Sequence, residues 1–168
     1  MVVAIGLGFL TWRRNQNYRS EVTLWLDTVA KFPNDPLDHD NLGMVLRLDP
    51  NIAGVHNNLG IALTKAGRLQ EAIGHFEQAL RINPDSATAH NNLGNALLQA
   101  GRPEDAIRQY QQALQSNPGS AAGYYNLGNA LLQAGRPKEA IGQYEEAVRL
   151  DPGLTPARDI LARLRASQ

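Results

Sequence analysis

The sequence predicts an all-α solenoid, in which helical hairpins of equal length stack side by side. The first observation is a stretch of twelve residues, NLGNALLQAGRP, that occurs at 92–103 and again 34 residues later at 126–137. The second is that 20 of the 34 positions of 87–120 are identical in 121–154, and that 53–86 follows the same pattern. A period of this length is typical of supersecondary units that stack on their neighbours.

Each repeat is predicted to contain two helices joined by a short turn. In the middle repeat, apolar and small residues at helical spacing predict a first helix over about residues 88–100. Gly101 can end this helix in the left-handed conformation. Pro103 suits the first position of a second helix, where its missing N–H costs nothing. Asn117 and Pro118 then end the second helix.

Small residues inside each hairpin are predicted to set the distance between its helices. Gly94 and Ala106 are expected to face each other, with Tyr110 filling the volume between units and Ala113 packing on the next unit. A larger residue at position 94 or 106 should therefore cost about 1–3 kcal/mol. One hairpin cannot bury its apolar face alone, so about three repeats are needed for a stable stack.

The composition excludes several classes of function. Sixteen basic residues balance sixteen acidic ones, and the chain has no cysteine. The chain therefore has no net positive charge that would favour binding to nucleic acid. The absence of cysteine rules out disulfides, cysteine nucleophiles and zinc–thiolate sites. No nucleophile elbow and no phosphate-binding glycine loop is present. We therefore expect a protein without a catalytic site, without a cofactor and without a nucleic-acid partner.

Three histidines occupy the same position of successive units and raise the question of a metal site. They are His39, His56 and His90, each three residues before the Leu of a Leu-Gly pair. Equivalent positions of successive units lie one or two helix spacings of about 8–10 Å apart. Zinc needs its nitrogen ligands within about 2.1 Å. We therefore expect these histidines to pack against their neighbours and predict no metal site.

The repeat resembles the tetratricopeptide repeat (TPR) family. The matching motifs are Asn-Leu-Gly, Gly-Arg-Pro, Glu-Ala-Ile, Tyr-Gln-Gln-Ala-Leu and Asn-Pro, in this order and register. The resemblance implies a right-handed α–α superhelix of three full repeats at 53–86, 87–120 and 121–154. It also implies that residues 155–168 form a capping helix, and that the first helix of each repeat lines the concave face.

Residues 15–52 fit the repeat less well. Residues 20–34 resemble a second helix and 36–46 a first helix, but only 17 residues separate Leu42 from Leu59, half of one repeat. One helix is therefore missing, and two first-type helices follow each other. We predict irregular packing in this region, relieved by homodimerisation or by exchange of the N-terminal segment.

Residues 1–14 begin with an apolar stretch, MVVAIGLGFLTW, that ends at Arg13 and Arg14. Twelve residues are too few to span a bilayer, which needs about twenty. One interpretation is the end of a membrane helix, with Trp12 and the arginines at the interface. It resembles the junction of polytopic membrane proteins with C-terminal TPR arms. The alternative is an apolar helix packed on the repeats.

The side of the membrane on which the repeats would lie stays open. Arg13 and Arg14 favour the cytoplasmic side, whereas the resemblance to polytopic membrane proteins favours the extracytoplasmic side.

Polar positions of the first helices are the candidates for binding. An asparagine precedes the Leu-Gly pair in every unit, and further amides lie nearby. A carboxamide offers both donors and an acceptor, so a row of them could hold a peptide by its backbone. This resembles the asparagine ladder of O-linked GlcNAc transferases; the alternative is that the amides only hydrate the concave wall. The candidates are Asn57, Asn58, Asn91, Asn92, Asn95, Tyr125, Asn126 and Asn129.

Three functional hypotheses follow. The favoured one is a non-catalytic protein–protein interaction scaffold that binds an extended peptide or a partner helix in a concave, asparagine-lined groove. The second is a structural or oligomerisation arm, and the third is a substrate-presenting accessory domain of a membrane-bound transferase. Binding of a C-terminal carboxylate, as in TPR co-chaperones, is not favoured, because Lys65 is the only cation that the sequence places in the groove.

Overall fold

The structure, a computed structural model, describes residues 52–166. These residues form helices and turns and contain no strand. The predicted all-α superhelix of helical repeats is therefore confirmed. The seven helices are α1 (Ala53–Lys65), α2 (Leu69–Ile82), α3 (Ala87–Gln99), α4 (Pro103–Ser116), α5 (Ala121–Gln133), α6 (Pro137–Leu150) and α7 (Thr155–Ala166).

Local signals in the sequence fix where the helices begin. The hydroxyl of Ser86 accepts a hydrogen bond from the backbone N–H of Ala89, and Ser120 does the same for Gly123. Each serine thereby satisfies one of the N–H groups that a helix start leaves without a partner. The helices α4 and α6 begin instead with a proline, whose fixed φ angle suits the first helical position.

A glycine in the left-handed conformation ends the first helix of each hairpin. Gly101 has a φ angle of 73°, and Gly67 and Gly135 are close to it. The N–H of Arg102 donates to the carbonyl of Leu97 at 2.9 Å, which closes the hydrogen-bond pattern of a Schellman motif. This turn allows the second helix to start two residues later and to run back along the first.

An aromatic ring packs directly on a glycine within each hairpin. A Cβ atom added to Gly94 would lie 2.7 Å from Cε1 of Tyr110, closer than real carbon atoms approach. Phe76 and Tyr144 take the same place against the equivalent glycines of α1 and α5. Gly94 was expected to face Ala106, but the atoms of the Tyr110 ring are its nearest neighbours, because only a residue without a side chain leaves room for the ring.

The hairpins stack into one continuous core with a defined inner side. Each second helix packs on the first helix of the next repeat, and α7 packs on α6 through the buried side chains of Ala157 and Leu161. Successive first helices, α1 with α3 and α3 with α5, also contact each other, whereas successive second helices make at most weaker contact. The first helices therefore lie on the inner, concave side of the stack.

Two groups of predictions fall outside the described residues. The apolar segment 1–14 and all but the last residue of the irregular segment 15–52 are among them, so the predicted homodimer and membrane attachment remain predictions. Within residues 52–166, no helix is both long enough and apolar enough to cross a bilayer.

Candidate functional site

The candidate asparagines lie on the three neighbouring helices of the concave side. Helix α1 provides two of them, α3 three and α5 two, and α5 also provides Tyr125. All eight side chains are partly exposed. The structure therefore brings the candidates together on one surface, but their hydrogen bonds divide them into groups with different roles.

Asparagines at the start of this surface bond to each other across the first two repeats. Nδ2 of Asn92 donates to Oδ1 of Asn57 at 3.0 Å, and Nδ2 of Asn57 donates to Oδ1 of Asn58 at 3.4 Å. The amide of Asn57 is thus used on both sides by the protein itself. This short network links α3 to α1 and so contributes to the contact between the first two repeats.

Asn95 and Asn129 form the same bond in two successive repeats. The hydroxyl of Tyr110 donates to Oδ1 of Asn95 at 2.7 Å, and Tyr144 donates to Oδ1 of Asn129 at 2.7 Å. Burial raises the pKa of both tyrosines well above its ordinary value, so the hydroxyls stay protonated and remain donors. The amide oxygens of Asn95 and Asn129 are thereby held in place. The Nδ2 group of each asparagine makes no hydrogen bond within residues 52–166.

Asn91 and Asn126 are the positions equivalent to Asn57 and Asn92 one repeat later, and they behave differently. Nδ2 of Asn91 donates to the carbonyl of Ala87 at 3.0 Å, while its Oδ1 is buried and has no hydrogen-bond partner among residues 52–166. The side chain of Asn126 makes no hydrogen bond within the described part of the chain. The amide network of the first interface is therefore not repeated at the second.

Tyr125 packs beside the buried ring of Tyr144. The centres of the two rings are 6.0 Å apart and their planes are inclined by 56°, a distance and tilt typical of favourable aromatic pairs. Tyr125 is partly exposed and lies on α5, the helix that also carries Asn126 and Asn129.

A pocket of about 300 Å³ opens between the first two repeats. Lys65 was expected to be the one cation of the groove, but the sequence did not predict a pocket there. The sequence does mark this place by a difference between the repeats. The first repeat reads NLGIALTKAGRL, which departs at only four positions from the NLGNALLQAGRP of the other two. Three of these four positions line the pocket. Its lining residues are Ile61, Thr64, Lys65, Phe76, Asn92, Asn95, Leu98 and Gln99.

The histidines take part in packing and hydrogen bonds. Nδ1 of His56 lies 3.0 Å from Nδ1 of His75. The two nitrogens of His90 lie 2.8 Å from Oε1 of Gln109 and 2.9 Å from the carbonyl of Pro84. Within residues 52–166, no group of three or more histidine, aspartate or glutamate side chains could hold a metal ion. His39 lies outside the described residues.

From the pair of His56 and His75 we predict that the free energy of unfolding depends on pH. Burial, and to a smaller degree the His56 ring, hold the pKa of His75 below its ordinary value of 6.5, while Glu71 partly opposes them. The unfolded chain then binds this proton more readily than the folded chain, so the free energy of unfolding should fall as the pH decreases through 6.5. Urea unfolding at pH 7.5, 6.5 and 5.5 measures this fall.

A His75→Gln variant provides the comparison for that measurement. It removes the titrating ring, so its free energy of unfolding should change less between pH 7.5 and 5.5 than that of the wild type. Equal slopes in the two proteins would show that the pair contributes nothing to the pH dependence, and that other groups cause it.

The fold and the polar concave surface together define a helical-repeat protein of the interaction-scaffold class. Two models of the Tetratricopeptide repeat family match the sequence, one at residues 51–118 and one at 91–155. Together they cover more than half of the 168 residues. The chain belongs to the tetratricopeptide repeat family, whose members are generally non-catalytic modules that bind proteins or peptides.

Solved structures of this family superpose well on the chain. The crystal structure of MamA is 25% identical, covers 84% of this chain and 83% of its own, and has a TM-score of 0.79. PilF of Pseudomonas aeruginosa is 24% identical with a TM-score of 0.80 over 92% of this chain and 70% of its own. The TPR domain of Arabidopsis OM64 is 24% identical, with a TM-score of 0.65 over 68% of this chain and 94% of its own. No curated protein matches the chain in sequence.

Proposed function

We propose that the concave side of α1, α3 and α5 binds an extended peptide segment of a partner protein through asparagine side chains. The observation that supports this proposal is the fixed amide of Asn95 and Asn129. Each has its oxygen engaged by a buried tyrosine, which leaves the Nδ2 group as a donor without a partner in the described chain. A donor held in this way is suited to the carbonyl of a peptide bond, whatever side chain lies beside it.

The spacing of these two donors favours an extended ligand. Helices α3 and α5 contact each other, so the two donors occupy the same position on neighbouring helices. A peptide in the polyproline II conformation has three residues per turn and rises about 3.1 Å per residue, so carbonyls on one side recur every ~9 Å. We propose that Asn95 and Asn129, one repeat apart, each donate to a carbonyl of such a segment.

The other asparagines have supporting roles in this proposal. Asn57 and Asn58 stay in the network with Asn92 and hold the first two repeats together. Asn91 is bonded to its own helix. Asn126 and Tyr125, both partly exposed on the same helix as Asn129, complete the proposed contact surface on α5. The proposed backbone donors are thus a subset of the eight candidates.

Exchanging the two asparagines for aspartates tests the proposal. In Asn95→Asp with Asn129→Asp, each carboxylate still accepts the tyrosine hydroxyl but can no longer donate to a peptide carbonyl. The probe is a random twelve-residue peptide library displayed on phage, selected on the full chain. We expect peptides selected on the wild type to bind the double variant at least tenfold more weakly, measured by fluorescence anisotropy with synthetic copies.

The control is a double variant with the same change in charge on the outer side of the stack of helices. Gln111→Glu with Gln115→Glu alters two exposed amides of α4, and should leave peptide affinity within twofold. Urea unfolding should show the control as stable as the wild type within about 0.5 kcal/mol, and circular dichroism establishes that the aspartate variant is folded. If no peptide is selected, or if the aspartate variant binds as well as the wild type, the asparagine groove is not the binding site.

A further inference from the structure

We infer that the pocket between the first two repeats is the selective subsite of this groove, and that it accepts an apolar side chain of the partner with an acidic residue next to it. The inference rests on the proposed function, because the partner must lie along α1 and α3 to reach the pocket. It concerns which peptides bind, whereas the asparagines account for how any peptide is held.

At the pocket, an apolar pair of residues takes the place of the polar pair found in the other two repeats. In the second and third repeats, a tyrosine hydroxyl bonds an asparagine across the hairpin, as in Tyr110 with Asn95. At the equivalent positions of the first repeat the chain has Phe76 and Ile61. Both partners are changed together, so no buried hydroxyl loses its acceptor. The change leaves the partly exposed side chains of Ile61 and Leu98 as apolar lining of an open pocket, which also touches the buried ring of Phe76.

This surface is suited to a side chain of the partner. A volume of about 300 Å³ is at the lower end of the range for ligand pockets, about 300–1,000 Å³. It is large enough for one leucine or phenylalanine side chain. Asn92 and Asn95 line the same pocket, so a side chain placed there belongs to a backbone that can continue along the asparagine row.

The charge at the pocket favours an acidic neighbour for that side chain. Lys65 lines the pocket and forms no ion pair within residues 52–166. The equivalent residues of the next repeats are Gln99 and Gln133, which are neutral. Several arginines of the described chain are instead paired with nearby acids, as Arg102 is with Asp105. Lys65 is therefore an unbalanced cation at one place in the groove, where a carboxylate of the partner can bind.

The chain itself offers the substitutions that test this inference. Ile61→Asn with Phe76→Tyr gives the first repeat the polar pair of the other two, and Lys65→Gln gives it their neutral residue. The same random twelve-residue phage library is selected on the full-length wild type and on each variant. Lys138→Gln, an exposed lysine of α6, serves as the control for the loss of one charge.

We expect peptides selected on the wild type to contain a leucine, isoleucine or phenylalanine with an aspartate or glutamate within two residues. Lys65→Gln should remove the acidic preference and weaken a synthetic copy of such a peptide about five- to tenfold, while Lys138→Gln changes its affinity less than twofold. The paired variant should remove the apolar preference. Circular dichroism on each variant establishes that it is folded.

The outcomes separate this inference from the proposed function. Peptides that depend on Asn95 and Asn129, but show no apolar–acidic pattern and bind the pocket variants as well as the wild type, would overturn the subsite and leave the groove intact. Peptides that do not depend on those asparagines, or no selected peptide at all, would overturn both. Loss of affinity in Lys138→Gln equal to that in Lys65→Gln would overturn the role of Lys65.

Discussion

Replacing Gly94 with alanine is expected to lower the free energy of unfolding by about 1–3 kcal/mol. The added methyl group would lie 2.7 Å from Cε1 of Tyr110 and 2.9 Å from its Cζ. The ring is fully buried and its hydroxyl is bonded to Asn95, so it cannot swing aside into solvent. The two helices must therefore separate. Urea denaturation followed by circular dichroism measures the effect.

Gly74→Ala is the matched control for that substitution. Gly74 also lies inside a helix, α2, but no atom of the described residues 52–166 comes within 4 Å of the position where its Cβ would be. Alanine should stabilise the protein there by up to about 1 kcal/mol, because it is a better helix former than glycine. If Gly94→Ala also stabilised the protein, the ring-on-glycine contact would not set the helix spacing.

Replacing Tyr110 with alanine is expected to cost about 3–5 kcal/mol, the largest effect of any substitution considered. The side chain has 0% exposure and lies in the core that runs through all the described hairpins. Its removal leaves a cavity between α3 and α4 and deprives Asn95 of its hydrogen-bond donor. Because each repeat depends on its neighbours, the loss in the middle repeat should weaken the stack on both sides.

Two further substitutions separate the contributions of the Tyr110 ring and hydroxyl. Tyr110→Phe keeps the ring and loses only the hydrogen bond to Asn95, which should cost about 0.5–1.5 kcal/mol. Gln111→Ala changes the exposed neighbouring residue and should stay within about 0.5 kcal/mol of the wild type. A cost for Tyr110→Ala as small as that for Tyr110→Phe would show that the ring does not hold the hairpin together.

The fold followed from the sequence because its signals are local and repeated. Gly101 and Pro103 mark a turn by backbone chemistry alone, and the same turn recurs 34 residues later. The identity of the neighbour of Gly94 could not be obtained in this way. Spacing along a helix shows which face a residue occupies, but the atom that fills the space opposite a glycine depends on rotamers and on the relative shift of two helices.

The concave surface was predictable and its hydrogen bonds were not. The position of the asparagines on the first helices places them on one side, as the structure has them. Whether an amide is free depends on a bond to a distant residue, such as Tyr144 with Asn129, or on a bond across repeats, such as Asn92 with Asn57. The pocket could not be predicted from the residues that the repeats share, since it lies where Ile61 replaces the asparagine of the other two repeats.

The most direct test of the proposed binding site is to determine where a bound peptide lies on the protein. The full chain, labelled with nitrogen-15, would be titrated with a synthetic peptide from the phage selection, and its NMR spectrum would be followed. We expect the largest shifts at the side-chain amides of Asn95 and Asn129 and along the inner faces of α3 and α5. Shifts confined to the outer helices α2, α4 and α6, with those side-chain amides unchanged, would contradict it.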